Sequence, residues 1–266
     1  MTRVGVVGHV EWVDFVPLVR FPTPGEVLHA QEPFVRAAGG GGVVAVVLAE
    51  LGAQVDFFCA LGRDGHGEAA VAALTERGVR VHVAWRELPT RRAVTLLQAG
   101  GERTIITLGE RLEPLGADEL EWERLRDADG AYVTAGDSLA LQRACEARVV
   151  VASPRARGAL GAGDQAIDAL VFSAHDQDES EWADRIGHRA GLLVATEGEN
   201  GGRWWGRSRG SWPAADPPGE PRDAYGCGDS FAAGFTFGLA TGASIEAAAG
   251  LGARCGARCL TRLGAP

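Results

Sequence analysis

The chain contains no lysine: all 26 of its basic side chains are arginine, set against 35 carboxylates. That absence excludes a Walker A loop, whose lysine reaches the β- and γ-phosphates, and it excludes Schiff-base chemistry. Asparagine is almost missing too, with Asn200 the single example. Five cysteines (Cys59, Cys145, Cys227, Cys255, Cys259) make no Cys-x-x-Cys pair and no Cys/His pattern with zinc spacing. No apolar run is long enough to cross a bilayer, and no signal-peptide pattern opens the chain. With the odd cysteine count, the expectation is a reducing, cytoplasmic setting. A net charge of −9 argues against nucleic acid or an anionic membrane as the main partner. It leaves room for a small anionic substrate, because a local pocket can oppose the net charge.

What is present is an ordinary globular composition, 46% hydrophobic and 23% charged over 266 residues. Short apolar runs at 3–8, 54–61, 131–134, 149–152, 170–173 and 192–196 alternate with helical stretches. Such alternation predicts an α/β fold, a doubly wound and mainly parallel sheet flanked by helices, in one domain over 1–266. A β-rich insertion interrupts it. Strands are expected at 81–85, 93–98 and 103–108, with a hairpin turn at 99–102. Parts of 10–38 and 81–108 are therefore read as a small separate sheet, a lid. Gly161-Ala162-Gly163-Asp164 reads as a helix cap leading into an amphipathic surface helix from Gln165.

Three glycine-bearing stretches carry the chemistry. Asp223-Ala224-Tyr225-Gly226-Cys227-Gly228-Asp229 precedes a helix expected at 230–239. Glycines let successive backbone N–H groups converge on one point, and a helix N-terminus adds its dipole, so the stretch is suited to hold a phosphate. Asp229 would stand at the mouth of that anion hole without filling it. Gly39 to Gly42 offer a second close backbone approach ahead of a helix, and Asp14 follows the first strand, at the sheet edge where ligands bind or simply in a turn. Thr196-Glu197-Gly198-Glu199-Asn200-Gly201 is the third loop. Trp204, Trp205 and Trp212 behind it could stack a base, though packing within a hairpin is the expected role.

Together these residues resemble the ribokinase-like (PfkB) family of carbohydrate and nucleoside kinases. Its C-terminal motif, Asp-Thr-x-Gly-Ala-Gly-Asp, is matched at both aspartates and both glycines by Asp223, Gly226, Gly228 and Asp229. Gly39–Gly42 resembles the N-terminal motif, Gly62–Gly67 the Gly-x-Asp-x-x-Gly turn, and Thr196-x-Gly198-x-x-Gly201 the nucleotide loop. The resemblance implies a kinase that moves the γ-phosphoryl group of ATP, with Mg2+, onto a hydroxyl of a sugar, sugar acid or nucleoside. Asp229 would be the base, and the backbone of Ala224, Gly226, Cys227 and Gly228 the anion hole. Asp223 would lie on the metal and phosphate side. Asp14, Gly39, Gly40, Gly41, Val43 and Arg103 would face the substrate, and Thr196, Gly198, Gly201 and His175 the nucleotide. A homodimer through the lid sheet is also implied.

Four positions depart from the family pattern. Val43 stands where asparagine is usual, and Ala224 replaces a threonine, which weakens the inference of a monovalent-cation site. His175-x-x-Asp178 stands for Asn-x-x-Glu, with Asp178 as a metal-side candidate, and Cys227 replaces alanine in the anion hole. These departures keep an alternative in view, a catalytically impaired relative that binds a ligand or a partner. A phosphoryl donor other than ATP is a further alternative.

Overall fold

The computed structural model describes residues 1–98, 103–264 and 266. The chain begins with β1 (Arg3–Val7), β2 (Glu11–Leu18), β3 (Phe34–Ala38) and α1 (Gly39–Glu50). Then come β4 (Gln54–Gly62), α2 (Gly65–Glu76), β5 (Val79–Arg86), β6 (Arg92–Gln98) and β7 (Arg103–Leu108). The second half runs β8 (Gly130–Val133), α3 (Ser138–Ala144), β9 (Val150–Ala152), α4 (Arg157–Gly161), β10 (Ile167–Ser173) and α5 (Gln177–Ile186). It closes with β11 (Ala190–Thr196), β12 (Gly202–Gly206), β13 (Gly210–Trp212), α6 (Cys227–Ala240) and α7 (Ile245–Leu260).

Nine strands form the large sheet in the order β13-β12-β11-β10-β9-β8-β1-β4-β5. All neighbours from β11 to β5 are parallel, and the β12–β13 hairpin adds an antiparallel edge. A parallel sheet is covered on both faces, which is why its strands read as unbroken apolar runs. Alternate residues accordingly serve two cores. Val6 belongs to one core with Val44, Phe235 and Ala248, while Val7 belongs to the other with Leu141, Leu160 and Ile186. The first core depends on small residues between α6 and α7. A Cβ added at Gly238 would lie 2.7 Å from both the Cα and the Cβ of Ala248, so the two helices touch through glycine.

The small sheet has the order β3-β2-β6-β7, with β2 parallel to β6 and both outer pairs antiparallel. The strand expected at 81–85 is not part of it. It belongs to β5, parallel to β4 at the edge of the large sheet, because α2 carries the chain back across the sheet before β5 begins. The expected turn at 99–102 lies outside the described residues. The surface helix expected from Gln165 is also absent: Ile167 opens β10, and its Ala169 and Leu170 pair with β9. Four residues are too few for helical periodicity to outweigh a buried strand position. The tryptophans do pack their hairpin, with Trp204 stacked on Trp212 at 6.1 Å and Trp212 on Phe231 at 5.1 Å.

Gly238→Ala should therefore force α6 and α7 apart and lower stability by ~1–3 kcal/mol, as overpacking does. Urea unfolding reads this directly, and an unchanged midpoint would mean that the helix pair yields freely.

Candidate active site

From β1 the chain winds to β4 and β5 on one side, and through β8, β9, β10 and β11 on the other. The crevice at such a switch point is where open α/β sheets take ligands. Strand ends and the residues just past them meet there. His9 follows β1, Thr134 follows β8, Ser153 follows β9, Ser173 ends β10 and Thr196 ends β11. A cavity of about 360 Å³ lies under the lid, lined by His9, Glu11, Gly39, Gly40, Tyr132, Ser153 and Asp229, with Arg91, Arg103 and Ile105 contributed by the lid sheet and its approach. A second cavity of about 790 Å³ is lined by His175, Thr196, Gly198, Gly201, Cys227 and, on α7, Ala253 and Gly256. The two are contiguous, because Arg103, Arg155, Ser173, Thr196, Ala224 and Gly228 line both.

Asp229 is the third residue of α6. Gly226 starts the helix with φ +76°, a left-handed conformation that favours glycine, and Val43 is packed behind it. The first N–H groups of a helix lack an intrahelical acceptor; that of Cys227 donates to the Ala224 carbonyl at 3.3 Å, which leaves those of Gly226 and Gly228 without an acceptor among the described residues. Opposite, α1 begins at Gly39 with φ +81°. Its next residue comes so close that a Cβ on Gly40 would be 3.2 Å from Asp229 Oδ1. Burial raises the Asp229 carboxyl above the usual carboxylate range. Arg155 opposes that rise most strongly, Glu179 adds to it, and Arg103 and Arg111 counter it.

Arg155 is held in turn. Its Nε donates to Glu179 Oε1 at 2.6 Å, and Glu179 Oε2 accepts the Ser173 N–H at 2.9 Å. The acidic residue that faces the site is thus Glu179, one place beyond the expected Asp178. Asp178 is exposed and pairs with Arg157 at 3.4 Å. Asp176 caps α5 by accepting the Glu179 N–H at 3.1 Å, which fixes the helix register and turns Glu179 inward. Read as Asp176-x-x-Glu179, the sequence would have yielded the right residue.

The other expected site residues divide. Gly39, Gly40, Arg103, Ala224, Gly226 and Gly228 come together around the first cavity with Asp229. Thr196, Gly198, Gly201, His175 and Cys227 gather at the second. Hydrogen bonding to the Cys259 thiol, together with burial, raises the Cys227 thiol, so it stays protonated. Asp14 lies in β2 and pairs with Arg92 at 2.9 Å, outside both linings. Strand alternation puts Glu11 on the inner face instead. Gly41 is a packing glycine, where a Cβ would come 2.8 Å from the His9 carbonyl oxygen, and Val43 is buried core.

Asp223 is buried and lines neither cavity. Its Oδ1 accepts the Tyr225 N–H at 2.7 Å and its Oδ2 the Gly264 N–H at 2.5 Å, tying the end of the described chain to the motif. Burial raises its carboxyl and those two bonds pull it back. No cluster of three or more His, Cys, Asp or Glu suited to a metal ion occurs among the described residues. Asp229 and an engaged Glu179 therefore suit a Mg2+ ion carried mainly by nucleotide phosphates and water.

Sequence reading had not singled out His9, Glu11, Arg91, Arg111 or Arg155. His9 Nδ1 accepts from Arg111 Nη2 at 2.9 Å, since a guanidinium only donates, and burial then the Arg111 charge keep the imidazole neutral. Glu11 pairs with Arg91 at 3.3 Å, and burial raises its carboxyl despite that partner.

A glycine-built helix start beside a carboxylate, on a doubly wound sheet with a small β lid, defines a ribokinase-like phosphotransferase. A model of the pfkB family carbohydrate kinases matches residues 1–157 and 164–266, and the chain belongs to that family. An ATP-dependent ribose-1-phosphate kinase of Halopiger xanaduensis is 27% identical over 269 residues, covering 92% of this chain and 88% of that one. A ribokinase of Arabidopsis thaliana is 32% identical over 143 residues, or 52% of this chain; that match spans only 36% of the relative's length. Among solved structures, a microbiome-derived acarbose kinase is 26% identical with a TM-score of 0.83, covering 99% of this chain and 94% of the other.

Because both Asp223 oxygens serve backbone N–H groups, Asp223→Ala should lower stability by ~2–4 kcal/mol through two orphaned donors. Thermal unfolding measures the loss, and the Mg2+ dependence of turnover in the surviving folded protein should not move.

Proposed function

We propose that the protein transfers the γ-phosphoryl group of ATP to a hydroxyl of a sugar-like or nucleoside acceptor, with Asp229 as the base. The observation that carries this reading is the Asp229 carboxylate at the N-terminus of α6, in the first cavity, which the acceptor would occupy, one residue from Gly228, which lines both cavities. The acceptor hydroxyl gives its proton to an Asp229 oxygen while its own oxygen bonds to the γ-phosphorus. The bond from that phosphorus to the β–γ bridging oxygen breaks, and ADP leaves. The Gly226–Gly228 N–H groups hold the charge on the transferring group, with Arg103 and Arg155 at the junction of the two cavities. Mg2+ on the phosphates would neutralise part of their charge. His175, Thr196, Gly198 and Gly201 would border the nucleotide. The relatives extend to this reading a ribose or ribose-phosphate type of acceptor and ATP as donor.

The lid sheet also favours self-association. Its β7 edge is exposed along all six residues, with Ile105 at 44% and Ile106 at 49% accessible. An open, apolar strand edge invites pairing across a two-fold axis, so a homodimer through β7 is proposed.

Asp229→Asn should cost at least ~100-fold in kcat with nucleotide binding retained, from the usual size of base catalysis. In the unsubstituted enzyme the base is the ionised form. Activity should therefore fall as pH drops through a value above the ordinary carboxylate range, and the variant should lose that limb. A coupled ADP-release assay checks both, and an active Asp229→Asn protein would remove Asp229 from the reaction. Light scattering should give a dimer mass that Ile106→Glu reduces to that of a monomer; a monomer at the outset would refute the pairing.

A further inference from the structure

A recess on the other side of α7 shares no lining residue with the two cavities described above. One part, of about 220 Å³, is lined by Arg254, Cys255, Arg258 and Cys259. The other, of about 660 Å³, is lined by Arg36, Arg77 and Arg222. Glu50, Arg262 and Pro266 line both parts, so the two are contiguous. A concavity of this size is in the range that holds small molecules. α7 is the partition: Arg254 and Arg258 turn to the recess, while Ala253, Gly256, Ala257 and Leu260 turn to the second cavity.

Six guanidinium groups line the recess against two side-chain carboxylates, Glu50 and Glu76, in a protein whose net charge is −9. Glu50 accounts for only part of that excess. Its Oε1 accepts from Arg77 at 2.6 Å and from Arg262 at 3.0 Å, and its Oε2 accepts from Arg262 at 3.0 Å and from Arg258. One carboxylate therefore gathers three guanidinium groups, and its acceptor capacity is used up. Arg77 and Arg258 each spend a single donor there. The guanidinium groups of Arg222 and Arg254 make no hydrogen bond or ion pair among the described residues. Burial lowers the basicity of Arg36, with Arg77 and Arg262 adding repulsion, so these like charges lie close enough to act on one another.

We propose that this recess is a second ligand site, separate from the phosphoryl-transfer chemistry, for an anion made of linked phosphate groups. A guanidinium offers paired donors that match phosphate oxygens, and a concave cluster of one sign concentrates the opposite charge. A lone phosphate would meet two or three of these side chains. The six come from β3, the end of α2, the approach to Asp223, and α7 with its exit, and a chain of phosphates would span them.

The test is calorimetric titration of the full chain without Mg2+, with tripolyphosphate, GTP and orthophosphate as probes. Tripolyphosphate or GTP should bind at least ~10-fold more tightly than orthophosphate, and added salt should weaken the binding by screening. The tighter of the two tells an inorganic chain from a nucleotide. Arg222→Gln combined with Arg254→Gln removes two side chains that make no bond in the fold, and should weaken binding by ~10–100-fold, the scale of charged hydrogen bonds. Arg77→Gln combined with Arg258→Gln, which leaves Glu50 both bonds from Arg262, should do the same. Arg155→Gln, in the other two cavities, should leave the binding unchanged. Binding that Arg155→Gln abolishes while both recess variants, folded by circular dichroism, retain it would place the anion in the active site and overturn the proposal. So would a chain that binds neither tripolyphosphate nor GTP more tightly than orthophosphate.

Discussion

The proposed chemistry depends on keeping one carboxylate charged inside a cavity. Burial works against the Asp229 anion, and the surrounding architecture works for it. The N-terminus of α6 supplies a favourable dipole, and Arg155 supplies an opposite charge anchored by Glu179. Gly40 carries no side chain, so the backbone of α1 can close over the carboxylate without displacing it. The balance leaves the carboxyl more basic than usual, which suits the base role proposed for it.

The same balance explains why arginine does all the cationic work here. Guanidinium groups stay charged when half-buried, where an ammonium group readily loses its proton. Their several donors also let one side chain brace the scaffold and face the ligand together, as Arg111 does by bonding Thr134 and His9 while lining the cavity. Fixed cations of this kind need fixed carboxylates, and Glu11, Glu113 and Glu179 supply them.

Legibility from sequence followed the range of the interaction. Asp229 and the Gly226–Gly228 turn are encoded within seven consecutive residues, so spacing alone located them. The strands whose ends bear Thr134, Ser153, Ser173 and Thr196 were equally plain, since a buried parallel strand is an apolar run. Arg91, Arg111 and Arg155 were not, because no local pattern marks an arginine that meets the site only through sheet topology. Glu179 and Glu11 failed for a different reason. Glu179 lies one residue from the carboxylate chosen and Glu11 three, and only the Asp176 cap or the strand pleat decides which one turns inward. Asp223 matched its motif and still serves the backbone, since a motif fixes a residue's position and its neighbours decide its partners.

The place of β1 inside the large sheet, between β4 and β8, bears on how the chain is made. On leaving the ribosome β1 finds one partner when β4 follows, in the register Arg3 to Gln54, but its other edge waits for β8, where Val4 meets Gly130. About 75 residues separate those two arrivals, roughly 4–15 s of synthesis at ordinary rates. During that interval the nascent protein carries an apolar strand with one row of backbone donors and acceptors unclaimed. Any other strand that emerges meanwhile, β6 and β7 included, competes for that row, so β8 must displace wrong pairings as well as make the right one.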